Sequence, residues 1–522
     1  MKKAKEEDKI VFYDGDFLTP TEGIGERANE VYIRKELKKR FPQDVFPSLK
    51  VVHNKSGFYK GKVSLIEKVF GGGKKVTGLP EYYEIEVTHL TGEYRETLIV
   101  WTPVQWNGRF AGTAGGGTGI GGRGYLTHPM NTQRGWNLPY CVCNGFSAAT
   151  MYAGNIDGWH DHLIDEESGK FNRELYENWR IRSTHNMTVF GKAITEIVQG
   201  KSILYSYFNG GSGGGRQALM EVQNYPNDYD GVWASCPAIN WEKFLLAGFW
   251  PGVVMNEYNH VLSAKKNEFF LNAVMEKNGG KEKYYRLKAI PPFDFQTLVG
   301  QKVGRGRITK LDAIVMNELV DGPRTKEGKH LWYGFLPGVK NWQKYIPIGT
   351  YYYPLFEKGV RPFPLGPIVA RWITENPKQD FSKMKKEEFF ALFDEGLKKF
   401  SDNLADDPNI DEFFAHGGKL MIDHGVDDPL IPVEGTLDYV KKLKAHFGSS
   451  SILESSFRLY INPGDNHGNC WGNGKGITES SGMMAMMDWV EKDKAPSDLF
   501  AIRVNHRTGE TLEEGYVSPY LE

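Results

Sequence analysis

The sequence predicts an α/β fold in which a core of parallel strands and helices is interrupted by one large inserted segment. Three observations carry this expectation. Around Ser212 an apolar run stops at a cluster of glycines and gives way to helix-forming residues, so SILYSYFNGGSGGGRQALM, residues 202–220, reads as strand, sharp turn and helix. The same signature returns at residues 417–439, GGKLMIDHGVDDPLIPVEGTLDY, and a further strand and loop follow at 457–474. Between them, from Asn240 to about Asp411, the strand-helix alternation stops and Trp, Tyr, Phe and Pro become frequent. The chain therefore divides into a first core part, 1–239, an inserted lid domain, 240–411, and a second core part, 412–522.

With 522 residues, 40% of them hydrophobic, and a formal net charge of -1, the chain can bury a large core and lacks the basic excess of a nucleic-acid-binding or membrane-surface protein. Its four cysteines, Cys141, Cys143, Cys236 and Cys470, are too few and too irregularly spaced for a disulfide scaffold or a zinc site, so reduced thiols are expected. Near the N-terminus Glu6, Glu7 and Asp8 stand where a secretory signal would carry its apolar stretch, and no apolar run reaches membrane-spanning length. The expectation is a cytoplasmic protein with no membrane or nucleic-acid partner.

Taken in order, residues 63–102 alternate apolar and polar side chains, as at Tyr83, Ile85 and Val87 and then Leu98 and Val100, which predicts antiparallel strands at one edge of the sheet. In WNGRFAGTAGGGTGIGGRG, residues 106–124, Gly115, Gly116 and Gly117 follow a short strand-like segment. Such a loop either packs closely on a neighbour or presents backbone N–H groups to a ligand. Tyr140 to Thr150 predicts a strand and turn. In WHDH, residues 159–162, His160 and His162 lack a third ligand at a standard metal spacing and read as a solvated loop. Ser183 begins a helix, with Val189, Phe190, Ala193, Ile194, Ile197 and Val198 at helical spacing and the Ser183 hydroxyl as its cap; His185 reads as structural.

The glycines around Ser212 fit G-x-S-x-G, in which a nucleophile is held on a strained turn and small neighbours let strand and helix approach closely. A flexible glycine turn or a phosphate-cradling loop would use the same residues, but no lysine follows in the Walker spacing. The N–H of Gly213 would face an oxyanion, with a second donor from Gly116 or Gly117. GVWASCPA, residues 231–238, predicts the next parallel strand. The aromatic segment after it, helical around 269–276, is placed to cover the site. Beyond it, Asp427 and Asp428 follow a strand; Asp428 precedes Pro429, Leu430 and Ile431, which pin its loop, and is the favoured acid. His467 follows the last strand, and Asp465 shapes its loop. The order Ser212, Asp428, His467, each after a strand, is that of the α/β-hydrolases.

These stretches resemble the tannase and feruloyl esterase family. The likeness runs through WNGRF and its glycine loop, STHNMTVFGKA, YFNGGSGGGRQALMEVQNYPNDYDGVWASCPA, VDGPRTKEGKHLWYGFLPG, FFAHGGKLMIDHGVDDPLIP, RLYINPGDNH and DWVEKDKAPSDLFA. The resemblance implies an α/β-hydrolase core with a large lid, hydrolysis of esters of aromatic acids such as gallate, ferulate or terephthalate half-esters, and Ser212, Asp428 and His467 as nucleophile, acid and base. The chain departs from the family pattern where Gly211 and Gly468 replace a cysteine pair beside the triad and Ser518 stands at another usual cysteine. Residues 276–295 hold too few carboxylates for the calcium loop that family members carry, so no calcium and no cofactor are expected.

The expected chemistry is ester hydrolysis through an acyl-enzyme, with a small aromatic ester as substrate. An amidase, a peptidase or an acyltransferase would use the same triad, and a catalytically silent binding protein would keep the same fold. Trp250, Tyr351, Tyr352, Tyr353 and Trp372 in the lid either stack an aromatic acyl group or form the lid's own core.

Overall fold

The computed structural model describes residues 13–18, 22–55, 57–60, 75–121, 137–154, 163–165, 167–325, 327–334, 365–448, 451–468, 470, 472–505 and 508–520. Among these, one nine-stranded sheet contains β1 (Ser48–Asn54), β2 (Tyr82–Thr91), β3 (Tyr94–Pro103), β4 (Arg109–Thr113), β5 (Ser147–Tyr152), β6 (Tyr205–Gly211), β7 (Gly231–Ser235), β8 (Lys419–Gly425) and β9 (Phe457–Asn462). Their spatial order is β1-β2-β3-β5-β4-β6-β7-β8-β9. Pairing is antiparallel from β1 through β3 to β5 and parallel from there to β9.

The antiparallel edge follows from the alternation in residues 82–103: β2 and β3 form a hairpin closed between Thr91 and Tyr94, where Gly92 supplies the φ of 58° that a tight hairpin turn requires. The parallel half reads differently because helices cover both faces. β7 and β8 are buried at every residue. Successive side chains part to opposite faces: Phe208, Val232 and Ile422 pack with helices Ser183–Gln199, Gly213–Asn224 and Val433–Phe447. Tyr207, Trp233 and Met421 pack with helices Leu138–Cys143 and Glu479–Lys492.

Between β7 and β8 the chain leaves the sheet and builds a helical segment that includes Trp241–Ala247, Trp250–Glu257, Ala264–Lys277, Lys310–Asp321, Leu365–Thr374 and Lys386–Phe400. It shares one apolar cluster with core residues such as Leu175, Tyr176 and Trp179; in it Trp372 and Phe389 are wholly buried, and Trp250 donates its indole N–H to the Glu318 carbonyl at 2.8 Å. Trp250 and Trp372 are thus core residues, and Trp372 packs edge-on against Trp179 with ring centroids 5.5 Å apart. Tyr351, Tyr352 and Tyr353 lie outside the described residues, as do His160 and His162. Among the described residues no helix is long and apolar enough to cross a membrane.

Two local expectations are corrected. Residues 138–143 are helical, not extended: the Asn137 side chain accepts the Tyr140 N–H at 2.8 Å and Pro139 fits the first turn, so capping overrides the β-forming Tyr, Cys and Val, and the strand begins only at Ser147. Ser183 does not cap its helix, which continues without a break from a π-helical turn, Asn178–Arg182. The Ser183 hydroxyl donates instead to the buried Glu96 carboxylate, which also accepts from Asn186 at 2.8 Å.

Candidate active site

The three candidate residues stand at the C-terminal ends of parallel strands, Ser212 after β6, Asp428 after β8 and His467 after β9. Ser212 has φ 61° and ψ -123°, a conformation that costs a non-glycine residue roughly 1–3 kcal/mol. Backbone hydrogen bonds hold it there: its N–H donates to the Ser235 carbonyl at 3.0 Å, and its carbonyl accepts from the Ala238 N–H at 2.9 Å and the Arg216 N–H at 3.1 Å. The glycines around it leave room for this turn. A Cβ on Gly210 would lie 2.4 Å from the Gly214 carbonyl oxygen, and one on Gly214 would lie 2.6 Å from the Ala114 Cβ.

A Cβ on Gly213 would lie 2.4 Å from the carbonyl oxygen of Gly117 and 3.1 Å from its nitrogen, so the glycine loop after β4 rests directly on the Ser212 turn. In that loop the Gly115 N–H is engaged by Gln217 Oε1 at 3.1 Å and the Gly119 N–H by the Gly116 carbonyl at 3.0 Å. Gly117, at φ 59°, is the loop residue nearest Gly213.

His467 Nδ1 lies 2.7 Å from Asp428 Oδ2, and both side chains are buried. The Leu430 and Ile431 N–H groups donate to Asp428 Oδ1 at 2.8 and 3.0 Å, which fixes the carboxylate in the loop that Pro429 begins. Burial alone would raise the Asp428 pKa; the His467 charge and hydrogen bonds from His424 and His467 outweigh it and hold the carboxyl well below its ordinary range. Burial would likewise lower the His467 pKa, but Asp428, with a smaller contribution from Cys236, raises it well above the ordinary histidine value. Asp427 is turned away and accepts from Asn473 Nδ2 at 3.3 Å; burial, with the Asp428 and Asp465 charges, pushes it up to about 8. Asp465 shapes the histidine loop by accepting the Asp427 N–H at 2.9 Å on its backbone carbonyl.

Sequence reasoning passed over two neighbours of this pair. His424 Nε2 is 3.3 Å from Asp428 Oδ2, and its Nδ1 is 2.8 Å from Thr436 Oγ1, so a buried imidazole backs the acid. Cys236, just beyond β7, brings its Sγ within 4.8 Å of both a His467 nitrogen and an Asp428 oxygen. Neither carries a sequence signal, because their partners are set by strand order.

Among the described residues, two clusters bring three metal-ligating atoms that close together: Cys236, Asp428 and His467, and His185, Glu221 and Asp228. In the second, His185 Nδ1 is 2.6 Å from Asp228 Oδ2 and its ring stacks on Tyr225 at 3.7 Å. The Lys192 amine donates to the Asp228 carbonyl, and burial, with Asp228, pushes the Glu221 carboxyl well up, so charge is balanced there by a proton and a lysine. His185 is a structural residue in this arrangement.

The family sequence model described as tannase and feruloyl esterase matches residues 94–282 and 371–515, which takes in β3 through β7 and then β8, β9 and the strands that follow. A probable feruloyl esterase from Arthroderma benhamiae is 31% identical over 439 residues, covering 80% of this chain and 77% of the relative. Feruloyl esterase B from Aspergillus niger is 24% identical over 434 residues, covering 78% of this chain and 76% of the relative. Among solved structures, the tannin acyl hydrolase from Aspergillus niger superposes with a TM-score of 0.75 at 18% identity, covering 95% of this chain and 92% of that one. Feruloyl esterase B from Aspergillus oryzae superposes with a TM-score of 0.72 at 18% identity, over 94% and 96%. The latter two establish the α/β-hydrolase fold, and the sequence matches establish descent: the chain is a carboxylic ester hydrolase and belongs to the tannase and feruloyl esterase family.

Proposed function

We propose that this enzyme hydrolyses esters of hydroxybenzoic or hydroxycinnamic type acids, with Ser212 as nucleophile, His467 as general base and Asp428 as the carboxylate that orients and stabilises the imidazolium. The observation that carries the reading is the buried 2.7 Å contact between His467 and Asp428, in a molecule whose Ser212 occupies a strained strand-to-helix turn. His467 takes the Ser212 proton as the hydroxyl attacks the ester carbonyl, the N–H groups of Gly213 and Gly117 (or Gly116) receive the oxyanion, and the alcohol leaves with the proton. Water, activated by the same imidazole, then releases the acid. The aromatic acyl preference rests on the feruloyl esterases and the tannin acyl hydrolase that the chain resembles.

A panel of aryl esters, the matching amides and thioesters tests the reaction class, and single-turnover kinetics test the nucleophile. Aromatic esters are expected to react fastest. Ser212→Ala is expected to form no acyl-enzyme and to lose several decades in rate; near-normal turnover would sink the assignment. For location we propose the cytoplasm, because none of the four cysteines is joined in a disulfide and glycines occupy positions 211 and 468. Cell fractionation tests this, and recovery of the enzyme outside the cytoplasm would refute it.

A further inference from the structure

Cys236 carries a buried thiol, 2% exposed and outside the mechanism above, yet it stands between the two loops that the mechanism must align. Its Sγ, a His467 nitrogen and an Asp428 oxygen lie within 4.8 Å of one another. On its other side, the Sγ lies 4.0 Å from the point where a Cβ on Gly211 would sit, so the sulfur occupies the space beside the residue before the nucleophile. The flanking backbone is tied to Ser212 through the Ser235 carbonyl at 3.0 Å and the Ala238 N–H at 2.9 Å. Cys236 itself takes φ 34°, in the left-handed region that a side chain disfavours, with its N–H donating to the Asp423 carbonyl of β8 at 2.6 Å. A strained backbone, anchored from both neighbouring strands, thus points a thiol at the imidazole.

We infer that Cys236 is a positioning residue for His467: its sulfur is the second partner of the imidazole beside Asp428, and it sets the orientation in which the base meets Ser212. The inference rests on the proposed triad and adds a member to its support. The titratable groups facing this site are Asp428 on His467, His424 on Asp428, and Asp427 and Asp465 in the adjoining loops. Cys236 adds to Asp428 in favouring the protonated imidazole, so its removal moves the base toward lower pH.

The test compares wild type, Cys236→Ala, Cys236→Ser and Ser212→Ala on a 4-nitrophenyl benzoate probe across pH. For Cys236→Ala we expect kcat to fall about fivefold or more with KM within about twofold, and the acid limb of kcat/KM to move down by about half a pH unit. Cys236→Ser, which keeps a polar group at the site, is expected to restore part of both. An alanine variant with wild-type kcat and acid limb overturns the inference, and so does a loss of activity that tracks loss of folded enzyme with no movement of the limb. Should the alanine variant not fold, the serine variant decides alone: a wild-type acid limb overturns the inference, and a partial shift supports it. Persistent turnover by Ser212→Ala would instead overturn the proposed nucleophile, whatever the Cys236 variants do.

Discussion

A proton on His467 is favoured by Asp428 at 2.7 Å and by Cys236, and this outweighs the cost of burying the charge. Since the base must be neutral to act, the acid limb of kcat/KM is expected above the ordinary histidine value of about 6.5. A midpoint at or below that value in a pH-rate profile would contradict the raised pKa. Asp428→Asn is expected to lower kcat by about three to four decades, because the imidazole loses both its orientation and its charge partner. Asp427 behaves in the opposite way to Asp428. Its folded pKa, about 8, lies above the unfolded carboxylate value, so the stability it contributes is full below about pH 4 and drains away as pH rises toward 8. Asp427→Asn removes that slope, and the melting-temperature difference between variant and wild type should widen from pH 5 to pH 8. A constant difference would show that Asp427 titrates normally. The sequence offered Ser212, Asp428 and His467 as candidates through their place after strands, and preferred Asp428 to Asp427 through Pro429; it is Asp428 that lies against His467. Cys236 and His424 were illegible, because nothing local marks a side chain whose partner arrives from another strand.

At the scale of elements, the Ser212 turn and the glycine loop after β4 form one unit. Gly213→Ala drives a methyl to within 2.4 Å of the Gly117 carbonyl and must push the loop away, so kcat should fall by about a hundredfold with the protein still folded. Gly211→Ala is the control, because a Cβ there meets nothing closer than 3.7 Å and should leave kcat within a few fold. Equal losses in the two variants, measured at matched folded fraction by circular dichroism, would break the assignment of Gly117 to the oxyanion. Elements were legible where the pattern was strong: β6 and β7 announced themselves as largely apolar runs, β8 by Leu420, Met421 and Ile422, and helix Gly213–Asn224 by Leu219, Met220 and Val222, all buried. They were misread where a cap decided the matter. Asn137 turned a β-rich stretch into a helix, and Ser183 was claimed by Glu96 across 87 residues rather than by its own helix end.

For the whole molecule, the insertion between β7 and β8 was legible as a change of composition, whereas the packing of its aromatic residues with one another was not, since a one-dimensional pattern cannot say which side of a tryptophan faces solvent. None of the four cysteines is joined in a disulfide. Millimolar reductant and chelator are therefore expected to leave activity and melting temperature unchanged, as followed by ester turnover and thermal denaturation; reversible inactivation by reductant would reveal a structural pairing among the cysteines. The placement of the insertion also governs how the protein is born. β7 and β8 pair along residues 231–235 and 419–423, yet some 180 residues separate them. At about 5–20 residues per second, the ribosome needs roughly 10–40 s to deliver β8 after β7 has emerged. Throughout that interval the nascent chain presents β7, a mostly apolar strand, with one open edge, and Ser212 waits without Asp428 or His467. On the proposed triad, each copy made is therefore inert until about the last tenth of its synthesis, when His467 is delivered, and its dependence on chaperones should be greatest while the insertion is being translated.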